Sequence, residues 1–155
     1  MKSHTSLQYQ KLQARHNLPK LKDLQEKFKF DIESDASIFD VIRNEMSDRV
    51  FSMTERVIEP ILMGSESFSS LFEQDMVTQK ERERLFQIYK KIQVLKWENT
   101  MLMIRPDDQK IAKWIKKTWD LWNNEIEKEF VELCEKFSGH WDTLTIKEGK
   151  SDYHG

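Results

Sequence analysis

Apolar residues recur along most of the chain at steps of three and four. Ile38, Ile42, Met46, Val50, Met53, Val57 and Ile61 form the clearest early run. At 3.6 residues per turn they fall within about 140° of arc, one broad face of a helix expected over 36–62. Phe51, Ile58 and Leu62 make a second stripe beside it, which marks this helix as central in a bundle. Ser34, Asp35 and Ser37 are candidate N-caps. Pro60 lacks a backbone donor and clashes with the preceding turn, so it ends the helix near Glu59 or kinks it, and Gly64 is a natural stop.

Phe68, Leu71, Phe72 and Met76 predict a short helix within 65–77. Thr78-Gln79-Lys80-Glu81 then reads as a capping box, with the threonine oxygen taking an orphan N–H and the glutamate reaching back. It opens a helix over 79–104. Leu85, Ile88, Tyr89, Ile92, Leu95 and Met103 line one face of it, and Phe86, Val94, Trp97 and Met101 are expected to widen that face. Arg105-Pro106-Asp107-Asp108 closes this helix and opens the next, over 107–137. There Ile111, Ile115, Trp119, Trp122, Ile126, Phe130, Leu133 and Phe137 repeat at steps of four, four and three. Such an eleven-residue period predicts a nearly straight or slightly right-handed seam. Ser138-Gly139 should end the helix, with Trp141, Leu144 and Ile146 folding back on the bundle.

The N-terminal segment is different. Leu7, Tyr9, Leu12 and Leu18 fit neither helical nor strand spacing, so residues 1–18 read as a basic, partly disordered arm. Pro19 suits the first position of a short helix over 19–29, carried by Leu21, Leu24 and Phe28. Phe28, Phe30 and Ile32 alternate, but no second alternating segment exists to pair with them, and no sheet is expected. The expected fold is all-α: an antiparallel helical bundle of four or five helices forming a single domain over 19–146. A mobile N-terminal arm precedes it and a polar C-terminal tail, 147–155, follows. Ile42, Met53, Leu85, Ile92, Ile115, Trp122, Ile126 and Leu133 should be its core.

Composition sharpens this picture. A chain of 155 residues buries roughly 70% of the surface its unfolded form exposes, so a core forms without staples. Only four glycines and three prolines are present, too few for the many turns of a sandwich or barrel. The single cysteine, Cys134, excludes an internal disulfide. Charges interrupt every apolar stretch, so neither a signal peptide nor a membrane span is expected, and the cytoplasm is the default location.

Net charge is −2, yet its distribution is uneven. Residues 1–30 carry seven basic against two acidic residues, and 31–83 carry five against thirteen. Residues 84–118 carry nine against three, and 119–155 four against nine. Alternating blocks of this kind suit antiparallel helices whose unlike charges face each other, or else basic surfaces for an anionic partner.

Catalytic signatures are scarce. The glycines, at 64, 139, 149 and 155, build no phosphate-cradling loop, and no Gly-x-Ser-x-Gly occurs. None of the four histidines follows a glutamate by three residues, so the carboxylate–histidine pairs of di-iron bundles are missing. Cys134, Glu135 and His140 straddle an expected helix end, but a surface histidine and a structural cysteine account for them. Glu125, Glu129 and Glu132 share a helical flank and read as a solvated row rather than a metal site. No cofactor or metal is expected.

The stretch Lys110 to Trp119 mixes lysines with aromatic rings. Trp119 and Trp122 fall on the core stripe. Trp114 and Leu121 lie off its centre, where they either contact a neighbouring helix or form an exposed strip for a partner. Two functional readings lead, and an enzyme of a class whose motif is not visible in the sequence is a third. The first is a non-enzymatic interaction or regulatory module, using Trp114, Leu121, Lys110, Lys113 and Lys117 together with Lys11 and Arg15 of the arm. Its partner is another protein or a second copy of the chain. The alternative is an RNA-binding or ribosome-associated factor using the basic residues of 1–29 and 84–117.

Overall fold

Local backbone chemistry sets the helix boundaries. The computed structural model describes residues 4–32, 37–64 and 67–144, and no strand occurs among them. Helix α1 (His4–His16) stops where Asn17 turns left-handed at φ 52°, and the Leu18 N–H reaches back to the Gln13 carbonyl at 2.9 Å. Helix α2 (Leu21–Phe28) follows, with Pro19 ahead of its N-cap, Lys20, rather than inside its first turn. It ends on Lys29, also left-handed at φ 55°. The Lys29 and Phe30 N–H groups both return to the Gln25 carbonyl, and Phe30 buries its ring just beyond.

Helix α3 (Ile38–Val57) and the short α4 (Glu59–Met63) part at Ile58, because Pro60 cannot donate to the continuing ladder. Ser37 occupies the N-cap position of α3 without a side-chain bond, while Ser34 and Asp35 lie outside the described residues. Helix α5 (Phe68–Asp75) is capped by Ser67, which accepts from the Ser70 N–H. Helix α6 (Gln79–Ile104) opens on the expected capping box: Thr78 Oγ1 accepts from the Glu81 N–H at 3.1 Å, and Glu81 accepts from the Thr78 N–H at 3.3 Å. Helix α7 (Asp108–Leu121) starts under the Asp107 carboxylate, which takes the N–H groups of Gln109 and Lys110. It passes through a wider π-helical turn, Trp122–Ile126, into α8 (Glu127–Thr143) without a break.

Three long rods therefore dominate, as the periodicity anticipates: α3, α6 and the continuous α7–α8. The last two run antiparallel, because ascending positions on one meet descending positions on the other: Lys117 with Glu98, Glu125 with Lys91, Glu129 with Arg84, Lys136 with Glu81. Helix α3 packs across both. Ile42, Leu85, Ile92, Ile115, Trp122, Ile126 and Leu133 are buried where these rods meet, whereas Met53 is only half-buried at the margin.

Four expectations change. Residues 4–16 are not a free arm: α1 docks on α3 and α7, where Tyr9 stacks on Phe39 and donates to the Pro19 carbonyl. Burial and the nearby Asp23 charge push the Tyr9 phenol well above its ordinary range. Sequence spacing gives little sign of this because only Tyr9 is fully buried, with Leu12 and His16 half-buried beside it. Second, Gly139 does not stop the last helix, which runs on to Thr143 with Trp141 inside it. Trp141 still folds against the bundle, its ring 5.8 Å from Phe72 and its Nε1 donating to Glu73 at 3.0 Å. Third, Leu102 rather than Met103 completes the inner face of α6. Fourth, the eleven-residue seam is replaced. The buried row runs Ile111, Ile115, Thr118, Trp122, Ile126, Phe130, Leu133, and Trp119 is half-buried against Phe28. Three successive steps of four would carry an α-helical row off the core. The π turn absorbs the extra residue, with the Glu127 N–H bonding the Trp122 carbonyl five residues back. Ile146 and the expected tail, 147–155, lie outside the described residues.

Candidate interaction surface

Trp114 settles into the molecule rather than onto a partner. It is 2% exposed, and its Nε1 donates to the Leu95 carbonyl of α6 at 2.9 Å. Of the two positions open to it, contact with a neighbouring helix and exposure in a strip, it takes the first. A carbonyl of the facing helix satisfies its one polar group, so burial carries no unpaired donor. Leu121 is half-buried and shares a shallow depression with Val94 and Lys117. The exposed Trp114–Leu121 strip is therefore absent from the folded chain.

The basic residues sort into two groups. Lys117 pairs with Glu98 at 2.6 Å, Lys116 with Asp120 at 2.9 Å, Lys91 with Glu125 at 2.7 Å and Arg84 with Glu129 at 2.7 Å. Arg82 is taken up by the backbone, bonding the Ile61 and Gln74 carbonyls near the ends of α4 and α5. Much of the basic segment thus faces acids of its own chain, as alternating charge blocks suggest. Lys110, Lys113 and Arg105 are exposed, and no ion pair among the described residues engages them. Lys11 and Arg15 are exposed on α1, outside the groove described below.

Sequence reasoning placed the decisive apolar residues on the wrong side of α6. Phe86, Val94, Trp97 and Met101 do not widen the core face. With Ile104 they fall within about 80° of arc on the opposite side of the helix, and all five are exposed, Trp97 at 64% and Ile104 at 73%. The inner row of Leu85, Ile88, Ile92, Leu95 and Leu102 is buried. Helix α6 is thus apolar on two opposed faces, one of them open to solvent.

Beside this outer face lies a groove of about 570 Å³ between the end of α6 and the start of α7. Met101, Leu102, Ile104 and Trp114 supply its apolar lining, and Arg105, Lys110, Lys113 and Lys117 its cationic rim. Glu98 is the one acid in the lining, and Lys117 already neutralises it. Farther along the same two helices, Lys117 also borders the depression shared by Val94 and Leu121.

Other clusters do less. Cys134 is exposed and His140 half-buried on one continuous helix, separated by about 9 Å of rise, so they do not form a nucleophile–base pair. Glu125 and Glu129 are each held by a cation of α6, and among the described residues no three His, Cys, Asp or Glu side chains gather as metal ligands. No helix among them is long and apolar enough to cross a membrane. Compared with known protein families, curated proteins and solved structures, the chain matches none.

Proposed function

We propose that this chain is a helical interaction module that binds another protein through the outer face of α6 and the adjoining groove. One observation carries the reading: an apolar stripe of five large side chains on α6, open to solvent and opposite the face that the core already uses. Exposed apolar rows of this kind, rimmed by charge, mark interaction sites, and an exposed tryptophan at their centre has the profile of a binding hot spot. Lys110, Lys113 and Lys117 stay within this reading as rim residues. Trp114 supports the groove from beneath instead of touching the partner as an exposed strip.

The test is a single substitution with a built-in control. Trp97→Ala removes an exposed ring, so circular dichroism and the melting temperature should not change. Recovery of a stoichiometric protein partner from nuclease-treated native lysate should fall sharply. Partner recovery that survives Trp97→Ala would refute this face as the binding site, and recovery abolished by nuclease would give the surface to a nucleic acid.

A further inference from the structure

We infer that the occupant of this face is an acidic amphipathic helix of a partner protein. The inference rests on the interaction reading above and adds the chemistry of the partner.

Shape is the first argument. Val94, Trp97, Met101 and Ile104 repeat at steps of three, four and three, the a/d spacing of two heptads. All four are exposed on one face of α6. They extend over about 15 Å of helix. A helix laid along such a row sets its own apolar side chains between these, at the same three- and four-residue spacing. The groove beside Met101 and Ile104 is a receptacle for one or two of those anchors, with Leu102 and Trp114 as its floor.

Charge is the second argument, and it selects among occupants. The rim holds Arg105, Lys110 and Lys113 with no ion-pair partner among the described residues, although neighbouring cations on both helices have found one. Lys90 adds a further positive charge on the same face, one turn before Val94. The acids nearby do little to offset this. Glu98 is held by Lys117 and the Asp107 carboxylate caps α7, which leaves Asp108 on the first turn of α7 and, at the far end of the outer face beside Phe86, Glu83. A second copy of the same face would bring these like charges together, which disfavours self-association. A helix with Asp or Glu flanking its apolar row meets them with the opposite sign. A single-chain anionic amphiphile would occupy the groove but leave Val94 and Trp97 uncovered.

The experiment selects helical peptides of about 20 residues from a displayed library against the full chain. The recovered peptides are then titrated against wild type, Trp97→Ala and the double variant Lys110→Glu with Lys113→Glu. The expected peptides carry net negative charge and apolar residues three and four apart. Their affinity should fall about tenfold or more with either variant and weaken as salt is raised. Exchanging their acids for lysine should restore binding to the double variant, a rescue that misfolding cannot produce. Peptides that lose affinity with Trp97→Ala but ignore the lysine reversals would overturn the acidic partner and leave the docking face standing. Peptides indifferent to both variants, or no peptide recovered, would overturn both. A dimer of wild type that Trp97→Ala dissolves, or Trp97-dependent binding to phosphatidylserine vesicles in place of peptides, would overturn the inference in favour of a second copy or a lipid surface.

Discussion

Lys29 holds a conformation that side chains with a Cβ adopt at a cost. Its φ of 55° places it in the left-handed region, at the position after α2 where glycine is commonest. The surrounding hydrogen bonds to Gln25 use only backbone, and the Lys29 side chain is exposed. Lys29→Gly should therefore stabilise the protein by about 0.5–1 kcal/mol, relieving the steric cost at the expense of some unfolded-chain entropy. A denaturant midpoint that falls would contradict this. The tryptophans make a second contrast at this scale. Trp114 is enclosed and hydrogen-bonded, and Trp97 stands in solvent. Trp114→Ala should cost about 3–5 kcal/mol, whereas Trp97→Ala should stay within about 0.5 kcal/mol of wild type. Equal losses in urea unfolding would mean that the outer face of α6 packs within the same molecule.

At the scale of elements, the start of α6 joins capping to pH dependence. A hydrogen bond from Lys136 on α8, foremost, together with those from Thr78, lowers the Glu81 carboxyl below its ordinary value near 4.5. A depressed carboxyl contributes stability above its unfolded pKa and loses it as pH falls through the folded one. The melting temperature should therefore decline as pH drops from about 5 towards 3, and Lys136→Gln should flatten part of that decline. An unchanged slope would show that the pair carries no such linkage. Helix α6 also shows what could and could not be read beforehand. Its limits, 79–104, follow from Thr78, Glu81 and the Arg105-Pro106 break, because caps and proline act locally. The destination of its second apolar row was not legible. At 3.6 residues per turn Phe86, Val94, Trp97 and Met101 fall opposite Leu85, Ile88, Ile92 and Leu95, so the spacing separates the two rows but does not say which of them a neighbour covers. Only the packing of α3 and α7 against the inner row decides. Trp114 poses the converse problem, since the spacing does not show that a facing carbonyl, here Leu95, stands ready to accept its N–H. Helix α1 is hard to read for a related reason: Tyr9 is its one fully buried apolar side chain, and Leu12 and His16, half-buried at the same helical spacing, make only a weak apolar row.

For the whole molecule, the alternation of charge blocks along the chain becomes a ladder across it. Four ion pairs link α6 to α7–α8, and Lys27 of α2 reaches Glu127 of α8. Exposed pairs each contribute little stability, about 0–1 kcal/mol. Their joint effect is directional, because a parallel arrangement of the two rods would bring like-charged blocks together. The ladder passes the π turn at Trp122–Ile126, and that turn says something about the length of the chain. Removing one residue inside it, Asn124, would change the steps of the buried row from four, three, four, four, four, three to an unbroken alternation of four and three. That is the pattern a regular α-helix buries without distortion. The shortened chain should fold with the same helix content and with stability within about 1 kcal/mol of wild type. Loss of cooperative unfolding would show that the wide turn is indispensable. The long rod thus holds one residue more than its buried row needs, taken up where the backbone widens so that both flanking faces keep their aim.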